Sequence, residues 1–255
     1  MNAVNAIILA GGKNSRMGGE NKAFLEIEGK PIIRRLIDTL RPLVNEIIIV
    51  TNDPEKYLYT PRPQNRTLKG ADKDWPLGQP AQSLPCRLAS RRSRGQVGRG
   101  TPGFSPGGLH LINIFSAKIR LVKDEGPDKG PLMGLYSGLK ASSSQYNFVA
   151  ACDMPFLKIS LIKFMLDTKD DYDILIPRVS EKFHTLLGIY SKSCIPVMEE
   201  MLRQNELRVS SIFPRLNTHF FTQREMERFD PHLLSFVNIN TPEELDAIRQ
   251  KGVCD

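Results

Sequence analysis

The sequence has little of what marks several common protein classes. Its four cysteines are far apart and form no C-x-x-C pair, which argues against a disulfide framework or a zinc ribbon and suits reduced thiols in a cytoplasm. No apolar run approaches the roughly 18–20 residues of a membrane span. No basic region precedes the first apolar stretch, so a signal peptide is not expected either. These absences favour a cytoplasmic protein with no membrane partner.

Two common phosphate-binding motifs are also absent, although the chain opens as if it carried one. Residues 7–9 form a short apolar run that predicts a buried strand, and Gly11 and Gly12 interrupt it. No Gly-Lys-Ser/Thr follows, and the two glycines are adjacent rather than spaced as in G-x-G-x-x-G. Because the basic Arg16 and Lys22 come next, the loop is either an anion-binding loop of another type or a structural turn.

The net charge of +7 is concentrated in one tract of the chain. Residues 60–120 contain eleven Lys or Arg and two Asp, whereas the rest of the chain holds 24 basic and 26 acidic residues. The tract also holds seven of the 18 prolines and eight of the 19 glycines, and residues 60–108 show neither helical nor strand periodicity. We therefore interpret the chain as a single domain, residues 1–255, interrupted by a low-complexity basic insertion at about residues 60–118.

Outside this tract, segments with the patterns of strands and helices alternate along the chain. Such alternation predicts an α/β protein with a three-layer, mostly parallel sheet that helices cover on both faces. We expect strands at residues 7–9, 46–52, 119–124, 146–153, 172–177, 184–191 and 234–240. We expect helices at residues 31–43, 130–142, 160–168, 195–204, 209–216 and 241–250.

Polar side chains stand where several of the expected strands end. Asn52, Asp124 and Asp153 end three of them, and Asn238 and Asn240 lie in the last. Since ligands of such sheets bind beyond the carboxyl ends of the strands, these side chains and the glycine loop should share one rim. Asp153 is the candidate magnesium ligand, because Mg²⁺ takes one or two carboxylates together with phosphate oxygens and water. From the residues alone, an ordinary turn would use either aspartate equally well.

Four segments, taken together, carry a family resemblance: LAGGKNSRMGGENKAFLEIEGKPII, KDEGPDKGPLMGLYSGL, ACDMPFL and VNINTPEEL. They are similar to segments of the molybdenum cofactor guanylyltransferases, which belong to the wider nucleotidyltransferases with a Rossmann-like fold. The resemblance covers residues 1–58 and 120–250. It implies a sheet of the nucleotide-diphospho-sugar transferase type.

The resemblance also implies roles for residues on the nucleotide side. Leu9, Ala10 and Gly11 match the loop that binds the base and phosphates of the nucleotide. Lys22 matches the lysine that contacts the triphosphate, and Asp124 matches an acid that contacts the nucleotide.

Further matches concern the reacting phosphate and the acceptor. Arg16 matches a loop arginine near the phosphates, and Asp153 matches the magnesium ligand. Arg16, Lys22 and Asp153 are therefore the expected catalytic group. Asn238 and Asn240 match amides that face the site from the acceptor side.

The implied reaction transfers GMP from GTP to the terminal phosphate of molybdopterin, releases pyrophosphate and forms the guanine dinucleotide form of the molybdenum cofactor. Mg²⁺ is the implied cofactor, GTP and molybdopterin are the implied partners, and molybdoenzymes or other cofactor-biosynthesis proteins are possible further ones.

Three points stay open. The first alternative is that the chain is a related nucleotidyltransferase, one that uses CTP or a sugar-phosphate acceptor. A nucleic-acid-binding protein would act through the tract at residues 60–120, although the arginine run at residues 91–99 lacks the interleaved aromatic residues that such binding favours. His184 is either a contact to the pterin or a polar residue at the start of a strand.

Deleting residues 61–118 and joining Thr60 to Ile119 tests the interpretation of the basic tract. We expect a folded protein that keeps its dependence on GTP and Mg²⁺, because loop-closure entropy changes by only about 0.6 kcal/mol per doubling of loop length. Circular dichroism and pyrophosphate release measure the outcome. An unfolded deletion variant would show that the tract is a structural part of the domain.

Overall fold

A computed structural model describes residues 4–11, 22–58, 111–112, 117–126, 129–239 and 244. Within these residues the chain forms eleven strands: β1 (Val4–Leu9), β2 (Glu26–Ile27), β3 (Lys30–Pro31), β4 (Glu46–Thr51), β5 (Leu111–Ile112), β6 (Lys118–Lys123), β7 (Tyr146–Ala151), β8 (Ile174–Val179), β9 (Lys182–Phe183), β10 (Leu187–Ser191) and β11 (Thr218–Thr222). Its helices are α1 (Ile32–Leu40), α2 (Pro54–Leu58), α3 (Gly130–Ala141), α4 (Ile159–Asp167), α5 (Cys194–Arg203) and α6 (Gln223–Glu227). None of the described helices is long and apolar enough to cross a bilayer.

One sheet contains all the described strands except the β2–β3 hairpin. Its order is β11-β8-β10-β7-β1-β4-β6-β5, with β9 beside β8. The central strands β7, β1, β4 and β6 are parallel to one another. β10 is antiparallel to both β7 and β8, so β8 and its parallel neighbour β11 run in the same direction as β7. The prediction of a mostly parallel α/β sheet is confirmed.

The side chains of β1 alternate between two hydrophobic layers. Ile8 packs into one layer, together with buried residues of α1 and α4, whereas Ile7 and Leu9 pack into the other, together with residues of α3 and α5. Alternate side chains of a strand point to opposite faces of its sheet. Helices therefore cover both faces, and the expected three-layer arrangement is confirmed.

The last expected strand, residues 234–240, is not a strand. Leu234–Phe236 form a 3-10 turn, and the chain continues without strand pairing to Ile239. The fully buried Ser235 donates its N–H to the carboxylate of Asp230 at 2.7 Å, and its hydroxyl lies 3.5 Å from the carbonyl of Phe156. Hydrogen bonds to side chains thus replace a strand ladder here.

Other boundaries shift by a few residues. The strand expected at residues 184–191 begins at Leu187, and the one expected at residues 172–177 spans Ile174–Val179. The edge strand β11 was missed altogether. The helix expected at residues 241–250 lies outside the described residues, apart from the helical Glu244.

Residues near the end of the expected insertion take part in the sheet. Leu111 and Ile112 form β5, which pairs with Arg120 and Ile119 of β6. Ala117 is buried and Lys118 begins β6. A deletion that extends to residue 118 therefore removes parts of the sheet, and one that ends before residue 111 tests the tract alone.

Helix α3 crosses β1 at very short range. A Cβ atom built on Gly138 would lie 2.6 Å from Cγ2 of Ile7, whereas one built on Gly134 would meet Cδ2 of Leu9 at an ordinary 3.5 Å. Glycine at residue 138 thus sets how closely this helix approaches the sheet, because any side chain there must push the two apart.

Gly138→Ala should lower the free energy of unfolding by about 1–3 kcal/mol, the usual cost of overpacking a core. Gly134→Ala is the matched control, since it gains the same helix propensity, about 1 kcal/mol, without the clash. Chemical denaturation of both variants measures the difference. Equal stabilities would show that α3 can move away from β1 at no cost.

Candidate active site

The carboxyl ends of β1, β4, β6 and β7 form one rim of the sheet. Strand-like hydrogen bonds continue past the ends of these strands: the N–H of Ala10 donates to the carbonyl of Val50 at 2.8 Å, and the N–H of Cys152 donates to that of Leu9 at 3.0 Å. The N–H of Asp124 likewise donates to the carbonyl of Thr51 at 3.1 Å. These bonds fix the backbone where the expected site residues stand, so the predicted rim exists.

Asp153 and Lys22 meet at this rim. Lys22 Nζ lies 3.9 Å from Asp153 Oδ2, and their side chains are 20% and 17% exposed. The other carboxylate oxygen, Asp153 Oδ1, is buried and has no hydrogen-bond partner among the described residues. The carboxylate therefore retains an unsatisfied oxygen, which is unusual for a buried polar group.

The surroundings of Asp153 disfavour its negative charge. Burial raises the pKa of this carboxyl above its usual range, and the charge of Lys22 opposes that rise only in part. A buried carboxylate with an unpaired oxygen fits a divalent cation, since the cation compensates the charge and takes up the oxygen. Among the described residues no three His, Cys, Asp or Glu side chains gather to form a complete metal site.

Lys22 is held in position by the aromatic residue two positions further on. It opens the 3-10 turn Lys22–Phe24, in which Ala23 is fully buried. The ring of Phe24 lies 4.9 Å from that of Tyr57, and the Tyr57 hydroxyl donates to the carbonyl of Ala10 at 3.3 Å. The backbone turn that carries Lys22 is thus linked to the end of β1 through the packed rings of Phe24 and Tyr57.

Asp124 stands at the same rim but three strands away from Asp153. Its Oδ1 accepts the N–H of Gly126 at 3.1 Å, and burial raises the pKa of this carboxyl. With strands about 4.8 Å apart, the ends of β6 and β7 are separated by roughly 14 Å. The two acids can therefore contact different parts of one nucleotide, but not the same phosphate.

Asn52 is a site residue to which the sequence analysis gave no role. Its Oδ1 is buried without a hydrogen-bond partner among the described residues, and a Cβ atom on Gly11 would lie 3.4 Å from it. The backbone of Gly11 does not have a positive φ, so conformational freedom does not explain this glycine. The close position of Gly11 beside the unsatisfied amide of Asn52 explains it, because without a side chain at Gly11 a ligand can approach both the backbone and the amide. The signal for Asn52 was its position at a strand end.

The structure says less about the remaining expected site residues. Leu9 and Ala10 use their carbonyls within the protein, towards Cys152 and Tyr57. Asn238 is exposed, one residue before Ile239, whose N–H donates to the carbonyl of Asp153 at 2.9 Å. Its segment therefore runs beside Asp153. Arg16 and Asn240 lie outside the described residues.

Cys152 precedes Asp153 but takes no part in the rim. Its side chain belongs to the hydrophobic core, and burial raises the pKa of the thiol to about 12. A thiol with such a pKa stays protonated and unreactive at neutral pH. Cys152 is therefore a core residue rather than a reactive one.

Comparisons with known proteins agree with this geometry. The family model described as a MobA-like NTP transferase domain matches residues 6–95 and 110–219, which includes much of the basic tract. The molybdenum cofactor guanylyltransferase of Desulfosudis oleivorans is 29% identical over 96% of this chain and 94% of its own length. A protein named probable molybdenum cofactor guanylyltransferase, from Clostridium perfringens strain 13, is 31% identical over 98% of both chains.

A solved structure shares the fold. The crystal structure of the molybdopterin-guanine dinucleotide biosynthesis protein A from Archaeoglobus fulgidus superposes with a TM-score of 0.63, at 21% identity and with 98% of both chains covered. The nearly complete coverage of all these proteins shows that the similarity extends well beyond the glycine loop.

Asp153→Asn should stabilise the ligand-free protein at neutral pH. The folded-state pKa of Asp153 is raised, so ionisation of this group costs stability as the pH rises above its usual value of 3.8. The asparagine variant lacks that cost. Its advantage in thermal unfolding should be largest near pH 7 and shrink as the pH falls towards 4. A variant less stable than wild type at pH 7 would show that the attraction to Lys22 outweighs the burial of the charge.

Proposed function

Because the chain belongs to the MobA-like NTP transferase family and is a nucleotidyltransferase, we propose that it transfers GMP from GTP to the terminal phosphate of molybdopterin. The observation that carries this proposal is the partly buried Asp153 carboxylate, with one buried and unpartnered oxygen, beside Lys22 at the carboxyl end of β7. Guanine as the base and molybdopterin as the acceptor are supported by relatives of nearly full length that carry the guanylyltransferase name. The product is the guanine dinucleotide form of the molybdenum cofactor.

The reaction needs positioning and charge neutralisation more than proton transfer. An oxygen of the acceptor phosphate attacks the α-phosphorus of GTP, a new P–O bond forms, and the bond to the bridging oxygen of the leaving pyrophosphate breaks. The attacking oxygen already carries negative charge, so no general base is required. What the protein supplies is an in-line arrangement and positive charge where negative charge grows.

The described residues divide this work among them. Lys22 places its ammonium against the leaving pyrophosphate, and Gly11 leaves room for the phosphates beside Asn52. Asp124, roughly 14 Å along the rim, contacts the nucleoside end of GTP. Arg16, which lies outside the described residues, would supply further positive charge to the phosphates.

Asp153 is the residue that would hold the Mg²⁺ ion of this reaction. The donor fits, because a carboxylate oxygen is the ligand that Mg²⁺ prefers and one oxygen of Asp153 is unsatisfied. When bound, the ion neutralises charge on the α-phosphate and orients it.

Pyrophosphate release with GTP, CTP or ATP, each with Mg²⁺ and molybdopterin, tests the proposal. We expect release with GTP that requires molybdopterin, and a loss of at least about 100-fold in Asp153→Asn, because metal stabilisation of the transition state is worth several kcal/mol and each 1.4 kcal/mol is tenfold. Faster release with CTP, or wild-type turnover in Asp153→Asn, would contradict it.

Lys22→Ala should raise the KM for GTP and lower kcat, with a combined loss of about 100-fold in kcat/KM, since the ammonium faces charge that grows in the transition state. Lys30→Ala is the control: this lysine is half-exposed and pairs with Asp38 at 2.6 Å, so its loss should leave kinetics unchanged. Steady-state kinetics with GTP measures both variants. Equal kinetics in the two would remove Lys22 from the site.

A further inference from the structure

His184 lies in the turn that leads into β10, the strand beside β7 on the side opposite β1. Its N–H donates to the carbonyl of Pro177 at 3.0 Å, and its carbonyl accepts the N–H of Leu187 at 2.9 Å. β10 is antiparallel to β7 and therefore begins at the edge where β7 ends. The N–H of Ala151 donates to the carbonyl of Leu186 at 2.9 Å, so the turn that contains His184 joins the sheet two residues before Asp153.

The ring of His184 packs on a second segment that also reaches Asp153. Its centroid lies 4.8 Å from that of Phe236, and the planes meet at 66°, an edge-to-face contact. Phe236 belongs to the segment whose buried Ile239 donates its N–H to the carbonyl of Asp153. The two half-buried rings thus pack between two chain segments, and each of these segments is hydrogen-bonded to the backbone near the end of β7.

These rings stand where an acceptor has to enter. In an in-line displacement the nucleophile approaches the phosphorus from the side opposite the leaving group. β1 and β10 flank β7 on its two sides. Lys22 belongs to the β1 side, because the turn that it opens packs through Phe24 on Tyr57, whose hydroxyl donates to the carbonyl of Ala10 at the end of β1. With the pyrophosphate beside Lys22, the acceptor must arrive from the β10 side, where His184 and Phe236 lie.

The chemistry of the pair suits a planar heterocycle better than a phosphate group. Burial lowers the pKa of His184, and the charge of nearby Lys182 lowers it further, so the ring is neutral at neutral pH. A neutral imidazole offers one N–H donor and one nitrogen acceptor. The face of Phe236 adds an apolar surface for a flat ring.

We propose that His184 is an acceptor-binding residue that hydrogen-bonds the pterin ring of the acceptor while Phe236 packs against it. This inference rests on the proposed function, because it assigns the acceptor's ring system to a described part of the same site. Of the two interpretations that the sequence leaves open for His184, the proposal adopts the contact to the substrate.

The test compares His184→Phe with His184→Gln in the full chain, using pyrophosphate release. His184→Phe keeps a ring against Phe236 and removes both nitrogens, so it should raise the KM for molybdopterin about tenfold, the equivalent of one lost hydrogen bond. kcat at saturating acceptor and the KM for GTP should stay at wild-type values. His184→Gln, which restores a donor and an acceptor, should recover part of the loss.

His219→Phe is the matched control. His219 also packs edge-to-face on a phenylalanine, with its centroid 4.9 Å from that of Phe221 and an angle of 84°. It lies near the amino end of β11, at the edge of the sheet opposite the carboxyl ends where Asp153 stands. Its replacement should leave all kinetic constants unchanged. Melting temperatures of the three variants verify that the folds are comparable.

The outcomes separate the inference from the proposed function. If wild type transfers GMP and both His184 variants keep the wild-type KM for molybdopterin, the assignment of His184 is wrong. A change in the KM for GTP or in kcat alone, with an unchanged acceptor KM, also overturns it, because that pattern belongs to a structural role. A wild-type protein that transfers nothing to molybdopterin would instead refute the proposed function.

Discussion

The unsatisfied charge of Asp153 is the constraint on which the site depends. The carboxylate is buried, one of its oxygens has no partner among the described residues, and the nearest ammonium, 3.9 Å away, compensates it only in part. Such a group costs stability in the absence of a ligand. Pairing with a cation would recover that cost. The free protein thus gives up stability at the position where a cation would bind.

The sheet keeps this charge where the substrate can reach it. β7 lies in the middle of the sheet, between β1 and β10, and its residues are almost entirely buried. Asp153 follows directly after the last buried positions, so the packing of β7 fixes its backbone at the rim. The close crossing of α3 over β1 at Gly138 fixes the distance between this helix and the strand next to β7. The strands and helices therefore set the distances between the backbone positions of the site, and the side chains provide the chemical groups.

Much of this arrangement follows from sequence patterns, and the failures have physical reasons. The strands that carry Leu9, Asp124 and Asp153 are short apolar runs that end in polar residues, and each was placed within three residues. Residues 234–240 have the same apolar pattern, but the carboxylate of Asp230 binds the N–H of Ser235 and winds the chain into a turn, a choice that no periodicity reveals. The direction of β10 was equally hidden, because all five of its residues are buried, as in a parallel strand. Asn52 was seen at a strand end, but only the structure shows that its oxygen lacks a partner.

The reversal of β10 has a consequence for how such a protein diversifies. The four strands β6, β4, β1 and β7 are complete by residue 151, whereas the described strands beyond β7, namely β8, β10 and β11, come from later in the chain. If the acceptor binds on that side, the surroundings of the two substrates are encoded in two successive stretches of the chain. Substitutions after residue 180 would then reshape the second stretch and leave the first unchanged. The same transfer chemistry would thereby be open to new acceptors through changes in a single portion of the gene.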